Sequence, residues 1–238
     1  MPDVAVVIGA SGAIGDAVVR RLARDDRFGA VLALSRRPVE TVDGVVSSAI
    51  DLRDEDGIAA AAGQAGALGA VRLVFVATGM LHDGAQQPEK SWRVLDAERL
   101  ANSFAVNAIG PALVAKHFLP LFPREGRAVF AALSARVGSI SDNRLGGWYG
   151  YRASKAALNQ MVRTLAIELG RNRPEALCVA LHPGTVTSDL SQPFTRGRDT
   201  GDLFTPDRSA EYLLGVLDRL SPADSGGLFA WDGAAIPF

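Results

Sequence analysis

The stretch that most narrows the possible folds lies at the start of the chain. Val4-Ala5-Val6-Val7-Ile8 runs into Gly9-Ala10-Ser11-Gly12-Ala13-Ile14-Gly15, and Asp16 to Arg24 then carries Val18, Val19 and Leu22 at helical spacing. A short, continuous β-branched run suits a central parallel strand covered on both faces. The glycines permit backbone angles that other residues avoid, and the N–H groups opening the next helix are donors for an anion. Strand, glycine turn and helix in direct succession point to a nucleotide-binding βαβ unit.

The remaining chain repeats that alternation. Apolar strands are expected at Ala30–Leu34, Gly44–Ile50, Leu73–Ala77, Ala128–Ser134, Ala176–Leu181 and Gly227–Trp231. Helices are expected at 59–70, 97–121, 148–170 and 206–220. Without a composition break, this gives an α/β chain with a single doubly wound Rossmann-type domain over residues 1–238 and a mostly parallel seven-stranded sheet. The second strand ends at Arg36-Arg37, with no acid at the position that meets an adenosine ribose, which favours NADP(H) over NAD(H). Asp51 is placed either at the adenine edge or as the cap of a helix beginning near Arg53. Thr78-Gly79 is small enough for a cofactor to pass over. Pro111 is expected to kink the 97–121 helix beside Asn107.

At 238 residues and net charge −1, with scattered basic residues, the chain lacks the positive stripe of a nucleic-acid binder. No apolar run is expected to span a membrane, no leader is evident, and one cysteine, Cys178, fits a reducing compartment, so the location expected is cytoplasmic. The three histidines are dispersed without metal-ligand spacing, so no metal is expected.

Chemistry concentrates at Tyr151-Arg152-Ala153-Ser154-Lys155. Tyr151 and Lys155 share a helix face, and an ammonium beside a phenol favours the phenolate, making a tunable acid. Gln192–Asp202 reads as a mobile lid over the same edge.

Taken in order, Gly9–Gly15, Asp51, Thr78-Gly79, Asn107, a serine-bearing fifth strand, Tyr151-xxx-Lys155 and Pro183-Gly184 resemble the short-chain dehydrogenase/reductase family over essentially the whole chain. Arg136–Ile140, Gly146–Asn159 and Trp231-Asp232-Gly233 with Ile236-Pro237 resemble its C-factor and sniffer-type carbonyl reductases. The resemblance implies an oxidoreductase moving hydride between NADPH and a carbonyl or alcohol. It implies Tyr151 as acid or base, Lys155 lowering its pKa and Asn107 holding a water that links Lys155 to solvent. Cofactor contacts are implied at Gly9, Ser11, Gly12, Ile14, Gly15, Arg36, Arg37, Asp51, Thr78, Gly79, Pro183, Gly184, Val186 and Ser188, and a homodimer or homotetramer is implied through the helices of Asn107 and Tyr151. The subgroup's second strand-end serine is Ala135 here, which leaves Ser134, then Ser139, as candidates for the orienting hydroxyl. The alternative function is a dinucleotide-binding regulatory or signalling protein with little turnover.

Overall fold

The apolar runs in the middle of the sheet become strands because they can be buried from two sides. A computed structural model describes residues 1–37, 39, 43–82, 87–188, 190–192 and 203–238. Its strands are β1 (Asp3–Ile8), β2 (Ala30–Ser35), β3 (Val45–Ala49), β4 (Ala70–Val76), β5 (Ala128–Leu133), β6 (Ala176–His182) and β7 (Leu228–Ala230). They form one sheet in the order β3-β2-β1-β4-β5-β6-β7, and every neighbouring pair is parallel. In β1, Val4, Val6 and Ile8 enter one core while Ala5 and Val7 enter the other. The run is therefore apolar throughout, without the alternation of a half-exposed strand.

The first core is completed by α2 (Glu55–Leu68), α4 (Gly110–Phe118) and α5 (Tyr149–Asn172), through Ile58, Val114, Phe118, Leu158 and Val162. The second is completed by α1 (Ala13–Leu22) and α6 (Pro206–Arg219), through Val18, Leu22, Leu213 and Val216. This double coverage is the doubly wound architecture expected. Cys178 is wholly buried in β6, where burial pushes its thiol up.

Three expectations are corrected. The second helix starts at Glu55, near Arg53 as expected from the Asp51 turn but ahead of the 59–70 span, because the Asp54 side chain caps it by accepting from Gly57 N at 3.2 Å. Asp51 is not that cap; its Oδ1 accepts from Arg53 N at 3.0 Å in the preceding turn. The 97–121 helix is continuous but mixed: α3 (Ala97–Phe104), a π turn at Ala105–Ile109, α4, and a 3-10 turn at Leu119–Leu121. Its length and hydropathy reach those of a membrane span, contrary to expectation. The apolar residues responsible include Val114, Ala115 and Phe118, which pack into the first core.

Candidate functional site

Three adjoining cavities form one groove across the carboxyl ends of the strands. The first, about 180 Å³, is lined by Gly9, Ser11, Gly12, Arg36, Arg37, Asp51, Thr78 and Gly79, among others. The second, about 350 Å³, shares Ser11, Gly12, Thr78 and Gly79 and adds Ile14, Ser134, Tyr151, Lys155, Pro183 and Ser188. The third, about 490 Å³, shares Ile14, Ser134, Tyr151 and Ser188 and adds Ala135, His182, Gly184 and Val186. Gly15 and Asn107 stand behind the wall, and the rest of the sequence-derived site residues face the groove.

The turn at the first end demands its glycines. Gly9 has φ +88°, and a Cβ on Gly15 would lie 2.2 Å from Gly9 O. No side chain caps α1 at Gly12, so the first N–H groups of that helix keep their donors for a ligand. Arg36 and Arg37 are exposed at the tip of β2 and make no ion pair with a described residue. Thr78 Oγ1 is buried without a hydrogen-bond partner among the described residues. An uncapped helix start, two unpaired cations and an orphaned hydroxyl in one groove fit a bound dinucleotide phosphate.

At the centre, α5 brings Tyr151 and Lys155 to the same edge. Lys155 is 2 % exposed, its Nζ donates to Leu133 O at 2.7 Å, and it lies 5.9 Å from the Tyr151 ring centroid. Burial pushes the phenol up to about 12 and the ammonium down to about 7. The expected lowering of the phenol by its lysine is therefore outweighed here by desolvation. Asn107 holds the backbone N–H and C=O of one residue, accepting from Met80 N and donating to Met80 O, each at 2.8 Å, and it donates to Ser154 Oγ at 3.1 Å. It thereby ties the segment that follows β4 to the residue before Lys155. Pro111 has no N–H to give the Asn107 carbonyl four residues back, so the π turn keeps that acceptor out of α-type pairing.

The serine expectation is revised. Ser134 lines the groove, but its hydroxyl donates to Asn159 Oδ1 at 2.7 Å, which spends its only proton. Ser139 does not line the groove; its Oγ accepts from Asp142 N at 3.2 Å. Ala135, which has no hydroxyl, lines the large cavity.

Two residues escaped the sequence reading. Glu89 is 4 % exposed and caps α5 from outside, accepting Gly150 N on Oε2 at 3.1 Å and Trp148 N on its carbonyl at 2.5 Å. This supplies the start of α5, whose Trp148 is left-handed at φ 52° and offers no side-chain cap. His182, at the end of β6, lines the large cavity, and its Nδ1 is buried without a partner among the described residues. Such a nitrogen costs about 1–3 kcal/mol. Burial, reinforced by Arg136 and opposed by Asp232, lowers its pKa from 6.5 to about 4, which leaves it neutral. A polar residue closing an apolar strand at this edge was the available signal for it.

The short chain dehydrogenase family model matches residues 3–199. The chain belongs to the short-chain dehydrogenase family. This dehydrogenase is 37 % identical over 145 residues to the C-signal of Myxococcus xanthus, covering 60 % of this chain and 81 % of that protein. It spans 60 % and 58 % of the length of two other curated relatives. Its fold matches an NADPH-bound carbonyl reductase from chicken fatty liver at TM-score 0.86 and 25 % identity, over 100 % of this chain and 99 % of that one. Carbonyl reductase Sniffer of D. melanogaster gives TM-score 0.85 at 22 % identity, with 100 % of both chains covered. An oxidoreductase with a nicotinamide dinucleotide cofactor follows for this dehydrogenase.

Proposed function

We propose that the chain transfers hydride between NADP(H) and a small carbonyl or alcohol compound, with Tyr151 as acid in reduction and base in oxidation. The observation that carries this reading is the position of Tyr151, shared by the cavity that fits the dinucleotide and the 490 Å³ cavity beyond it, one helical turn from buried Lys155. The nicotinamide, when bound, supplies the hydride. Tyr151 holds the proton the carbonyl oxygen takes up, and burial keeps that phenol protonated at neutral pH. Lys155, held by Leu133 O, puts an ionisable amine beside the phenol, and Asn107 fixes the Met80 and Ser154 segments around both. Arg36 and Arg37 support NADP(H) over NAD(H), since arginine suits a 2′-phosphate.

The chain works as one domain in the cytoplasm, as a homodimer or homotetramer. Ile109, Met161 and Ile167 support association, being 49, 43 and 54 % exposed on the helices of Asn107 and Tyr151; sedimentation equilibrium tests it.

NADPH consumption with a panel of aldehydes, ketones and quinones, compared with Tyr151→Phe, tests the activity. The variant is expected to lose at least a hundredfold in kcat with unchanged NADPH affinity, in keeping with the usual worth of a positioned acid, about 10²–10⁴-fold. Tight NADPH binding without turnover on any carbonyl would favour the second reading, a dinucleotide-binding regulatory protein. Ala135 and the similarity to the C-signal support that reading.

A further inference from the structure

We propose that Arg152 selects the substrate of the large cavity, and that the compound taken there carries a carboxylate on an apolar, carbonyl-bearing body. This rests on Tyr151 acting at the same cavity and adds a charge to the substrate of that reading. Arg152 directly follows Tyr151 on α5, and both residues line the 490 Å³ cavity. Its Nε donates to Gly147 O at 3.1 Å and to Gly146 O at 3.3 Å, and its Nη1 donates to Val137 O at 3.3 Å. Val137 and Gly146 line the cavity too, so these bonds hold the guanidinium at the cavity wall.

All three acceptors are neutral carbonyls. They fix the group in place and leave its charge unmatched, since Arg152 makes no ion pair with a described residue. Arg136, the other charged residue lining the cavity among those described, is paired with Asp142 at 3.0 Å. Nη2 bonds to no described residue and, unlike Thr78 Oγ1 and His182 Nδ1, is not sealed from solvent, so its two N–H groups are open to a ligand. Arginine stays ionised, and its N–H groups bond a carboxylate more strongly than a neutral oxygen. One unmatched cation suits a monoanion, and a carboxylate is ionised at neutral pH. Leu81, Leu145, Trp148 and Leu190 add apolar surface for the body of the molecule. Successive helical residues project about 100° apart, so the oxygens met by Tyr151 and Arg152 are separated on the substrate. The substrate class is therefore an apolar oxo acid whose carboxylate is not adjacent to the reacting carbonyl. A site built to bond that group disfavours the analogue that lacks it.

The test compares 4-formylbenzoate with its uncharged methyl ester in wild type, Arg152→Gln and Arg152→Lys, each first checked for wild-type NADPH affinity. Wild type is expected to show kcat/KM at least about tenfold higher for the acid, the worth of one charge-assisted bond. Arg152→Gln should lose that preference while keeping the rate on the ester, and Arg152→Lys should keep part of it. A residue that only braced the loop would lower both rates together and leave their ratio unchanged. An unchanged ratio in Arg152→Gln, or no preference in wild type, overturns the proposal. Should Arg152→Gln fail to bind NADPH, added KCl at saturating NADPH decides: it should slow wild type on the acid and spare the ester, and parallel responses overturn the proposal. If wild type turns over neither compound, Tyr151 chemistry fails separately, and calorimetry on the NADP⁺ complex decides. Binding of 4-formylbenzoate that Arg152→Gln weakens at least about tenfold upholds the contact. Equal binding by the two proteins, or none by wild type, overturns it.

Discussion

Lys155 illustrates how a single residue carries both a site and a stability cost. Unfolded, its ammonium ionises at the ordinary 10.5, and in the fold at about 7. Between these values unfolding takes up a proton, so wild-type stability falls as pH drops from 10.5 to 7 and this loss levels off below 7. Lys155→Met removes the penalty and also the bond to Leu133 O, worth about 1 kcal/mol. Urea melts across that range should show the variant gaining on wild type as pH falls toward 7; parallel curves would refute a buried, neutralising lysine. The Tyr151 and Lys155 pair was legible from spacing alone, because four residues on a helix fix a shared face. Its ionisation was not, since desolvation is set by what distant segments pack over it. His182 was illegible for the same reason: sequence shows a histidine closing a strand, not that its Nδ1 is buried without a partner among the described residues.

At the scale of elements, the glycine turn and α2 give opposite responses to the same substitution. Gly15→Ala forces a methyl toward Gly9 O, and the clash is expected to destabilise by about 1–3 kcal/mol and to abolish NADPH binding. Gly63, exposed inside α2 with nothing within 4 Å of where a Cβ would sit, should instead gain about 0.5–1 kcal/mol on change to Ala. Thermal melts of the two variants read both, and a stabilised Gly15→Ala would show that the turn can relax. The strands were legible because continuous apolar runs of five to seven residues have few other uses in an alternating pattern. The start of α2 was misread because an Ala- and Gly-rich segment has little periodicity, while its cap, Asp54, sits in the polar turn before it. Pro111 announced a disturbance in the long helix but not its form, a π turn at Ala105–Ile109 that carries Asn107. Of the expected lid, Gln192–Asp202, all but Gln192 lies outside the described residues.

For the whole molecule, the groove joins the two halves of the sheet, with α1 and the β2 tip on one side and the ends of β4, β5 and β6 on the other. A ligand lying there stabilises only the assembled fold, by about 2.7 kcal/mol at a hundred times its Kd. NADPH is expected to raise the melting temperature more than NADH at equal concentration, and Arg36→Ala/Arg37→Ala to erase that difference; an unchanged difference removes the arginines from cofactor choice. The same strand order bears on synthesis. β1 pairs with β2 on one side, but its other neighbour is β4, which is not made until residues 70–76. Until then a ribosome-bound chain presents one unpaired edge of β1, whose Val4 to Ile8 are wholly buried in the finished protein. The segment on which the groove is built is thus the one most in need of chaperone shielding while the chain is being translated.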